Sequence, residues 1–344
     1  MNNIENLLNK VKNNKIDWKG YRKILTLSED QMESFYNYSQ KVTSKNFNHQ
    51  LKIYVPGKLF PAISITGTKC ALQCEHCNKK YLKGMKNITS EKELENYLFN
   101  LHEKGGVGAL ISGGCEPDGS VPLDRFLKSI KKIKNQTDLI INTHTGFLKD
   151  ETAEGLADAG IDIVSFDINM DEKILKEIYH LESNTNQYRK AIRILKKYNL
   201  NIVPHICVGL LYGELHKEIE SLRFIKEMEI DPSLIVIIAL IPPESNDFKE
   251  PSANDIGKII ALTRFIFPQT EISLGCMRPR KKERIKIEKI AIKAGINRLE
   301  IPSKKTLEWF KQEFPDYQLK FISACCAIPM QFEKRAELKN DDLN

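Results

Sequence analysis

Three closely spaced cysteines are the first residues of this sequence whose types and spacing could do chemistry. Cys70, Cys74 and Cys77 form a C-x3-C-x2-C run that follows the apolar segment Ala62–Ile65. Cysteine thiolates are the usual ligands of iron–sulfur clusters, so three of them would hold three irons of a cubane [4Fe-4S] cluster. The fourth iron would stay open to a substrate or cofactor, whereas a structural zinc site closes its shell with four protein ligands.

Structural zinc is the alternative for this run. It would need His76 or a distant cysteine as its fourth ligand, and zinc sites usually pair two C-x2-C knuckles across a spacer. The run contains only one such knuckle. The spacing therefore favours the cluster and leaves a non-catalytic, zinc-binding scaffold protein as the weaker hypothesis.

Apolar runs alternate with amphipathic helical stretches from about residue 59 onward, which is typical of a parallel sheet with crossover helices. Eight such units over roughly 250 residues match the usual size of a (β/α)8 barrel. We therefore predict an α/β fold of the TIM-type barrel kind, with an open six-stranded partial barrel as the alternative. The predicted strands are 62–66, 108–112, 139–143, 161–167, 201–208, 234–240, 271–274 and 296–301. The predicted domains are a helical N-terminal lead-in (1–57), the barrel (58–316) and a C-terminal segment over the barrel mouth (317–344).

Polar residues recur at the carboxyl ends of the predicted strands, where barrel enzymes place their chemistry. His144 ends the third strand, His205 lies in the fifth, and Arg278 follows the seventh. A lone histidine is more often a structural residue than a catalyst, but recurrence at one end of the barrel favours a site. We predict catalytic roles for His144 and His205, and Arg278 could orient a cluster or bind carboxylate or carbonyl groups of the substrate.

Five further cysteines lie outside the run. Cys207 lies in an apolar strand and fits a small buried residue. Cys115 and Cys276 end the second and seventh strands, and Cys325 and Cys326 follow the last barrel helix. If the C-terminal segment folds over the barrel mouth, these thiolates converge. We predict an auxiliary iron–sulfur cluster held by Cys115, Cys276 and Cys325 or Cys326, with unliganded thiols as the alternative.

The cysteine run, with His76 directly before its last cysteine, resembles the signature of the radical S-adenosylmethionine (SAM) enzymes. In that family a Gly-Gly-Glu motif at the second strand binds the amino group of SAM. Gly113 and Gly114 match its glycines, while Cys115 and Glu116 follow where one glutamate is expected. The resemblance implies a [4Fe-4S] cluster and SAM as cofactors. The implied cofactor-binding residues are His76, Gly113 and Gly114, then Asp167 and Asn169 near the ribose, and Gly209 and Ile241 near the adenine.

Four stretches, at 54–60, 112–115, 203–205 and 274–280, look like a biotin-synthase-related group of radical SAM proteins. That group includes the archaeal-type two-component lipoyl synthases, in which two radical SAM proteins together insert the sulfurs of lipoate. The resemblance implies that reductive cleavage of SAM gives a 5′-deoxyadenosyl radical, which abstracts hydrogen from an unactivated carbon. A sulfide of the auxiliary cluster would then join that carbon.

The same resemblance implies the partners. The substrate would be an octanoyl chain on a lysine of an acidic lipoyl-carrier protein. A second radical SAM protein and an electron donor of the ferredoxin or flavodoxin type would act with the enzyme. The alternative is a radical SAM enzyme of another reaction, such as biotin-synthase-like thiolation, methylation or dehydrogenation.

Composition limits the remaining function classes. The 344 residues carry 52 Lys and Arg against 45 Asp and Glu, a net charge of +7. The excess is concentrated only at 278–289, which suits a solvated helix face better than a nucleic-acid site. No apolar run approaches the length of a membrane span, and no signal peptide is recognisable. We expect a cytoplasmic protein with reduced thiols and no nucleic-acid or membrane partner.

Overall fold

The computed structural model describes residues 3–244 and 247–338. Its strands are β1 (Gln50–Tyr54), β2 (Ala62–Ser64), β3 (Lys86–Asn87), β4 (Gly108–Ser112), β5 (Ile140–His144), β6 (Ile163–Asp167), β7 (Ile202–Val208), β8 (Leu234–Ala239), β9 (Glu271–Leu274), β10 (Arg298–Glu300) and β11 (Gln318–Ile322). Its α-helices are α1 (Asn3–Lys12), α2 (Trp18–Leu25), α3 (Glu29–Asn46), α4 (Glu91–Glu103), α5 (Leu127–Gln136), α6 (Asp150–Asp158), α7 (Asn186–Lys197), α8 (Glu218–Glu227), α9 (Ala253–Ile266), α10 (Arg284–Lys293), α11 (Lys304–Glu313) and α12 (Met330–Ala336). Over these residues, no helix combines the length and apolar character needed to cross a bilayer.

The predicted α/β fold is confirmed. All eight predicted strands are present, as β2 and β4 to β10, and their ends fall within two residues of the predicted ends. Three short strands, β1, β3 and β11, were not predicted. Both residues of β3 are exposed, so it has no apolar pattern to recognise, and β1 lies inside the stretch predicted as a helical lead-in. The predicted domain boundaries remain predictions.

The chain divides into two compact units. Unit 1 contains Met1–Ile53 and Ile206–Lys320, and unit 2 contains Tyr54–His205 and Phe321–Asn344. In unit 2 parallel pairing runs in the order β3-β2-β4-β5-β6-β7, with Ser64 opposite Ser112 and Asp167 opposite His205. Because neighbouring parallel strands point the same way, their carboxyl ends form one edge of this unit.

Unit 1 builds its core from β8, β9 and β10, which pair in parallel, and from helices packed around them. Helix α3 begins with a capping box in which Ser28 and Gln31 each bond the other's main chain. Further along α3, Ser39 donates to the carbonyl of Ala294 at 2.6 Å and Thr43 to that of Gly295 at 2.8 Å. These bonds dock the N-terminal helices on the segment that follows α10.

Candidate functional site

The three cysteines of the run lie on one loop of unit 2, between β2 and the 3-10 turn Lys80–Gly84. The carbonyl of Cys74 accepts the N–H of Cys77 at 3.1 Å and that of Asn78 at 2.9 Å. Asn78 and Lys79 follow with φ values of 41° and 61°, in the left-handed region that non-glycine residues seldom occupy. This tight turn keeps Cys74 and Cys77 close together.

Two glycines at the end of β4 allow the cysteine loop to approach the sheet. The N–H of Gly114 donates to Thr66 Oγ1 at 2.7 Å. A Cβ atom on Gly114 would lie 2.0 Å from the carbonyl oxygen of Lys69 and 2.5 Å from the Cβ of Cys70. A Cβ on Gly113 would lie 3.0 Å from the Thr66 side chain, which is tight but less severe. Glycine is therefore required at 114 by close packing of the loop.

Cys115 holds the loop from the other side. Its carbonyl accepts the N–H of Ala71 at 2.8 Å, and its own N–H donates to Cys70 Sγ at 3.2 Å. Hydrogen bonds from the Cys115 thiol, and then from the N–H groups of Cys115 and Leu72, lower the pKa of Cys70 to about 6 against the opposing effect of burial. The pKa of Cys115 is raised, first because its proton bonds to the Cys70 sulfur and then by burial. Cys70 is thus the most acidic thiol of the run.

The other two thiols are held in their neutral form. Burial, followed by repulsion from Cys77 and Cys70, raises the pKa of Cys74 to about 12, and burial also raises the pKa of Cys77. Metal binding would deprotonate these thiols, because only the thiolate is a ligand. A cubane places each thiolate on a different iron, whereas zinc needs donors that converge on one ion. Across residues 3–244 and 247–338, no three His, Cys, Asp or Glu side chains converge in that way.

His76 lies inside the loop and is neutral at neutral pH. Burial lowers the pKa of its imidazole to about 4. The ring packs 5.5 Å from the ring of Tyr179, measured between centroids. Its Nδ1 atom is buried and has no hydrogen-bond partner within the described part of the chain. A buried polar atom of this kind is costly unless a bound group supplies the missing contact.

A short segment that the sequence reasoning missed holds the loop in place. The N–H of Glu75 donates to the carbonyl of Ile178 at 2.9 Å, and the thiol of Cys74 points to the carbonyl of Tyr179 at 3.9 Å. His180 Nε2 and Glu75 Oε1 are 2.7 Å apart. The segment follows a π-helical turn at Ile174–Ile178, a conformation common at functional sites but without a sequence signature.

His144 and Asp167, at the ends of β5 and β6, lie beside His205 in the middle of β7. His144 Nδ1 lies 3.4 Å from Asp167 Oδ2, and the rings of His144 and His205 are 4.9 Å apart. His205 Nδ1 lies 3.0 Å from the carbonyl of Val203, which assigns the proton to Nδ1 and leaves Nε2 as an acceptor. Burial, and then the charge of His144, lowers the pKa of His205 to about 4.

Asp167 is an ionised carboxylate with free acceptor positions. Burial by the surrounding walls tends to raise its pKa, but the hydrogen bond and charge of His144 outweigh that effect and the net shift is downward. Its side chain is nevertheless 52% exposed. An ionised carboxylate that is open on one side can accept hydrogen bonds from ligand hydroxyl groups, which fits the ribose contact expected from the sequence.

The remaining predicted cofactor residues divide between the two units. In unit 2, Asn169 Oδ1 accepts the N–H of Asp171 at 3.1 Å, while its buried Nδ2 has no partner within the described residues. In unit 1, Gly209 has a φ of 74° and donates its N–H to Glu218 Oε1 at 2.8 Å, so that donor is occupied. Ile241, also in unit 1, is partly exposed.

Arg278 is placed differently from the prediction. Its side chain is 0% exposed and pairs with Glu288, Nη2 to Oε1, at 2.7 Å. The guanidinium also donates to the carbonyls of Gly275 at 2.7 Å and Glu300 at 2.8 Å. These bonds fix a loop within unit 1. A side chain without exposed surface cannot reach a substrate, so the structure favours a structural role over the predicted substrate or cluster contact.

The cysteines assigned to an auxiliary cluster are not all in one unit. Cys276 belongs to unit 1, where its carbonyl accepts from Arg280 Nη2 at 3.0 Å. Cys115, Cys325 and Cys326 belong to unit 2; Cys325 is half-buried and Cys326 is 3% exposed. Cys115 contacts the first cysteine of the run, as described above. The auxiliary cluster remains a prediction.

A cavity of about 490 Å³ opens beside the loop, lined by Thr66, Lys69, Cys70, Gly114, Cys115 and Arg125 among others. Arg125 was not among the residues predicted for the site. Its Nη2 lies 3.1 Å from Glu116 Oε1, so the glutamate that follows the glycine pair forms an exposed ion pair. This geometry therefore gives no support for assigning to Glu116 the contact with the amino group of SAM that the glutamate of the Gly-Gly-Glu motif makes in the family.

Sequence comparison relates the chain to known enzymes. The profile of the Radical SAM superfamily matches residues 64–225. Biotin synthase from Bacillus cytotoxicus is 24% identical over 242 residues, which cover 67% of this chain and 71% of the relative. Biotin synthase from Bacillus cereus is 25% identical over 229 residues, covering 63% of this chain and 66% of the relative. The matches thus span about two thirds of these relatives.

Solved structures share the fold. Methylornithine synthase superposes with a TM-score of 0.63 at 20% identity, covering 86% of this chain and 85% of that one. The FeFe-hydrogenase maturase HydG from Carboxydothermus hydrogenoformans gives a TM-score of 0.68 at 15% identity, covering 96% and 81%. At these identities the likeness concerns the fold alone.

The residues present fit the two cofactors that this superfamily implies. Three thiols on one clamped loop suit a [4Fe-4S] cluster. A glycine packed against the loop, an open carboxylate at Asp167 and an unpartnered buried amide at Asn169 suit a polar ligand such as SAM. The profile match over 64–225 and the biotin synthase relatives agree with this donor set. The chain therefore contains a radical SAM domain over residues 64–225 and is related to biotin synthase.

Proposed function

We propose that this enzyme inserts sulfur into an unactivated carbon, as one component of a two-protein lipoyl synthase acting on an octanoyl-lysyl carrier domain. The observation that carries the proposal is the relationship to biotin synthase over 242 residues. Biotin-synthase-like chemistry is a thiolation. Cys115, Cys276, Cys325 and Cys326 offer ligands for a cluster that could supply the sulfur. The lipoyl assignment rests on the four sequence stretches named above.

The chain's own residues have distinct parts in this chemistry. Cys70, Cys74 and Cys77 would hold the cluster, and Gly114 allows their loop to approach the end of β4. When bound, the cluster and SAM supply the radical that removes a hydrogen atom from carbon. Asp167 would accept hydrogen bonds from the ribose hydroxyls.

His144 and His205 would face the reacting groups. His144 is oriented by its contact with Asp167, 3.4 Å away. Neutral His205 keeps Nε2 as an acceptor because its Nδ1 is bonded to Val203. Both are proposed to position the acyl chain or its amide, and neither needs to change charge for that role.

The sulfur source is proposed to be an auxiliary iron–sulfur cluster. Its candidate ligands are Cys115, Cys276 and either Cys325 or Cys326; Cys207, the fifth cysteine outside the run, lies within β7. An enzyme that consumes sulfide from its own cluster needs a second one, because loss of the first would end SAM cleavage. Iron counting before and after alanine replacement of the three run cysteines tests this step, since residual iron must belong elsewhere.

The electron donor is proposed to be an acidic protein of the ferredoxin or flavodoxin type. Lysines are dense along the loop and the turn that follows it, at Lys69, Lys79, Lys80, Lys83 and Lys86. Glu75 is the single acidic residue from 66 to 90 and already contacts His180. A basic surface beside the cluster loop would attract an acidic donor, and raised ionic strength would slow that encounter.

The test is sulfur transfer to an octanoyl-lysyl peptide. The anaerobically reconstituted enzyme is incubated with peptide, SAM and a reductant, with and without the second radical SAM protein, and the peptide mass is measured. The proposal expects a mass gain of one sulfur atom per insertion, together with 5′-deoxyadenosine. The same peptide with an unmodified lysine is the control and should gain nothing.

Two results would redirect the proposal. Release of 5′-deoxyadenosine with an unchanged or methylated peptide would indicate another radical reaction. Sulfur gain on a different acyl acceptor would retain thiolation and replace the substrate.

A further inference from the structure

A basic surface lies at the carboxyl ends of β9 and β10 in unit 1. The loop after β9 exposes Arg280, Lys281 and Lys282, and the segment after β10 exposes Lys304 and Lys305. The four lysines have no ion-pair partner among residues 3–244 and 247–338. Loops at the carboxyl ends of the strands are where barrel enzymes meet their substrates. We call these five side chains the basic surface.

Exposed acidic residues are scarce beside the basic surface. In the segments 280–284 and 301–305, Glu283 is the single acidic residue against six basic ones. Glu288 and Glu300, which are close by in the sequence, are 0% and 3% exposed and add no charge to the exposed face. The resulting positive field would attract a partner with an acidic surface.

Ile301, at the start of the second segment, has a strained backbone and an exposed side chain. Its φ of 42° lies in the left-handed region, which β-branched residues rarely adopt. The following Pro302 favours an extended conformation for the residue before it, which adds to the strain. In the described part of the chain, Val55 and Met330 are the other large apolar residues that are exposed. A single exposed apolar residue is ordinary, but strain of this kind is concentrated at functional sites.

A buried network holds Ile301 in this conformation. Its carbonyl accepts Arg284 Nη2 at 2.7 Å and Arg278 Nη2 at 3.3 Å. Arg278 pairs with Glu288, and the other carboxylate oxygen of Glu288 accepts the N–H of Ser303 at 2.9 Å. These bonds join the loop after β9 to the segment after β10. The apolar side chain and the cations therefore stand on one rigid support.

We propose that the basic surface, together with Ile301, docks the acidic carrier protein that presents the substrate. The cations would pair with carboxylates of the carrier, and Ile301 would pack on an apolar side chain, as polar and apolar contacts combine in protein interfaces. A nucleic acid would engage the cations through its phosphates and would leave Ile301 without a role. The identity of the carrier rests on the proposed function, and the electron donor is assigned to the lysines beside the cluster loop.

The test measures carrier binding without turnover. Reconstituted full-length protein is titrated calorimetrically with the octanoylated carrier protein in the absence of reductant. A triple variant, Lys281→Glu with Lys282→Glu and Lys305→Glu, reverses three charges of the basic surface. Its dissociation constant should rise at least about tenfold at low ionic strength, and the difference from the wild type should shrink as salt is added.

The matched control makes the same change of charge elsewhere in unit 1. Helices α2 and α3 carry three further exposed lysines, Lys19, Lys23 and Lys41. Their joint replacement by glutamate should leave the affinity for the carrier unchanged. An equal loss in this control would reduce the effect to net charge and overturn the assignment of the surface.

Ile301→Gly separates docking from folding. Glycine adopts a positive φ without steric cost, so the thermal unfolding midpoint should stay the same or rise. The dissociation constant for the carrier should nevertheless rise about fivefold, because an apolar contact is lost. A residue with a structural role alone would show no loss of affinity.

Three outcomes overturn the inference: no binding of the carrier by the wild type, equal affinity in the wild type and the triple variant, or binding of a mixed-sequence RNA that the triple variant loses while carrier binding is unchanged. Failure of the proposed function would look different. Carrier binding that depends on the basic surface, without any sulfur transfer, would support the docking surface and refute sulfur insertion.

Discussion

Two carboxylates of this protein, Asp167 and Glu288, share a lowered pKa but differ in their exposure and in the number of hydrogen bonds that they accept from the protein. Glu288 is 0% exposed and both oxygens are occupied: Arg278 and Arg284 bond Oε1, and Ser303 and Thr306 bond Oε2. Asp167 Oδ2 lies 3.4 Å from His144 Nδ1, and the Asp167 side chain is 52% exposed. A perturbed pKa therefore does not mark a ligand site by itself. A better sign of a ligand site is an accessible side chain with hydrogen-bond acceptor positions that no protein donor occupies.

The largest effect on stability is expected when Glu288, the fully buried carboxylate, is neutralised. Glu288→Gln leaves the Arg278 guanidinium buried without its counter-charge, so the free energy of unfolding should fall by about 3–5 kcal/mol. Urea unfolding measures the loss, with Asp167→Asn as the control expected to lose clearly less stability than Glu288→Gln, because its exposed side chain leaves no buried charge unpaired. Equal losses in both variants would contradict the distinction between the two sites.

The same carboxylate should make stability depend on pH. Burial raises the pKa of Glu288, but bonds from Thr306, Ser303 and Arg278 outweigh it and the net shift is downward. The stabilisation is therefore complete above the unfolded value of about 4.3 and is lost as pH falls through the lower folded pKa. In Glu288→Gln this component of the acid transition should be absent.

A smaller effect is expected when the close packing of Gly114 against the cysteine loop is disturbed. Gly114→Ala places a methyl group 2.0 Å from the carbonyl oxygen of Lys69, so overpacking should cost about 1–3 kcal/mol and lower the iron bound after reconstitution. Gly84→Ala is the matched control, because nothing lies within 4 Å of the added atom. Full iron loading of the Gly114 variant would show that the loop has more freedom than its packing indicates.

Substitution of Asp167, the exposed carboxylate, should affect SAM binding more than stability. Asp167→Asn removes a charged acceptor, and the dissociation constant for SAM should rise about tenfold, or about 1.4 kcal/mol. Calorimetric titration of the reconstituted protein measures this change. Glu288→Gln, studied where it remains folded, should bind SAM as the wild type does. A normal affinity in the Asp167 variant would exclude the ribose contact.

The smallest effect concerns the order in which the thiols react. At pH 7 a thiol with a pKa of about 6 is mostly thiolate, whereas one with a pKa of about 12 is almost entirely protonated. In protein freed of iron, iodoacetamide should therefore label Cys70 before Cys74, as peptide mass mapping would record. Faster labelling of Cys74 would contradict the hydrogen bonding described at Cys70.

The sequence predicted the parts of the molecule that depend on local pattern. The eight strands follow from apolar runs, and the cluster loop from the spacing of its cysteines. The position of His144 at the carboxyl end of β5 follows from the predicted strand that it ends. Each of these inferences needs only the residue type and the order of the elements.

Contacts between side chains that lie far apart along the chain could not be predicted from the sequence. Arg278 follows a strand, as a catalytic residue would, and only the fold reveals its pairing with Glu288. The contact of Cys115 with Cys70 requires the pairing of β2 with β4 and the absence of a side chain at Gly114. The support from residues 178–180 depends on a π-helical turn, which has no residue pattern.

If the loop from Cys70 to Cys77 starts the reaction, the reconstituted protein cleaves SAM reductively, and the cleavage depends on these cysteines. Reconstituted wild-type protein and Cys74→Ala are each incubated anaerobically with SAM and dithionite, and 5′-deoxyadenosine is quantified. We expect release by the wild type and none above background by the variant. Equal release by both proteins, or a wild type that carries the cluster and releases nothing, would contradict it.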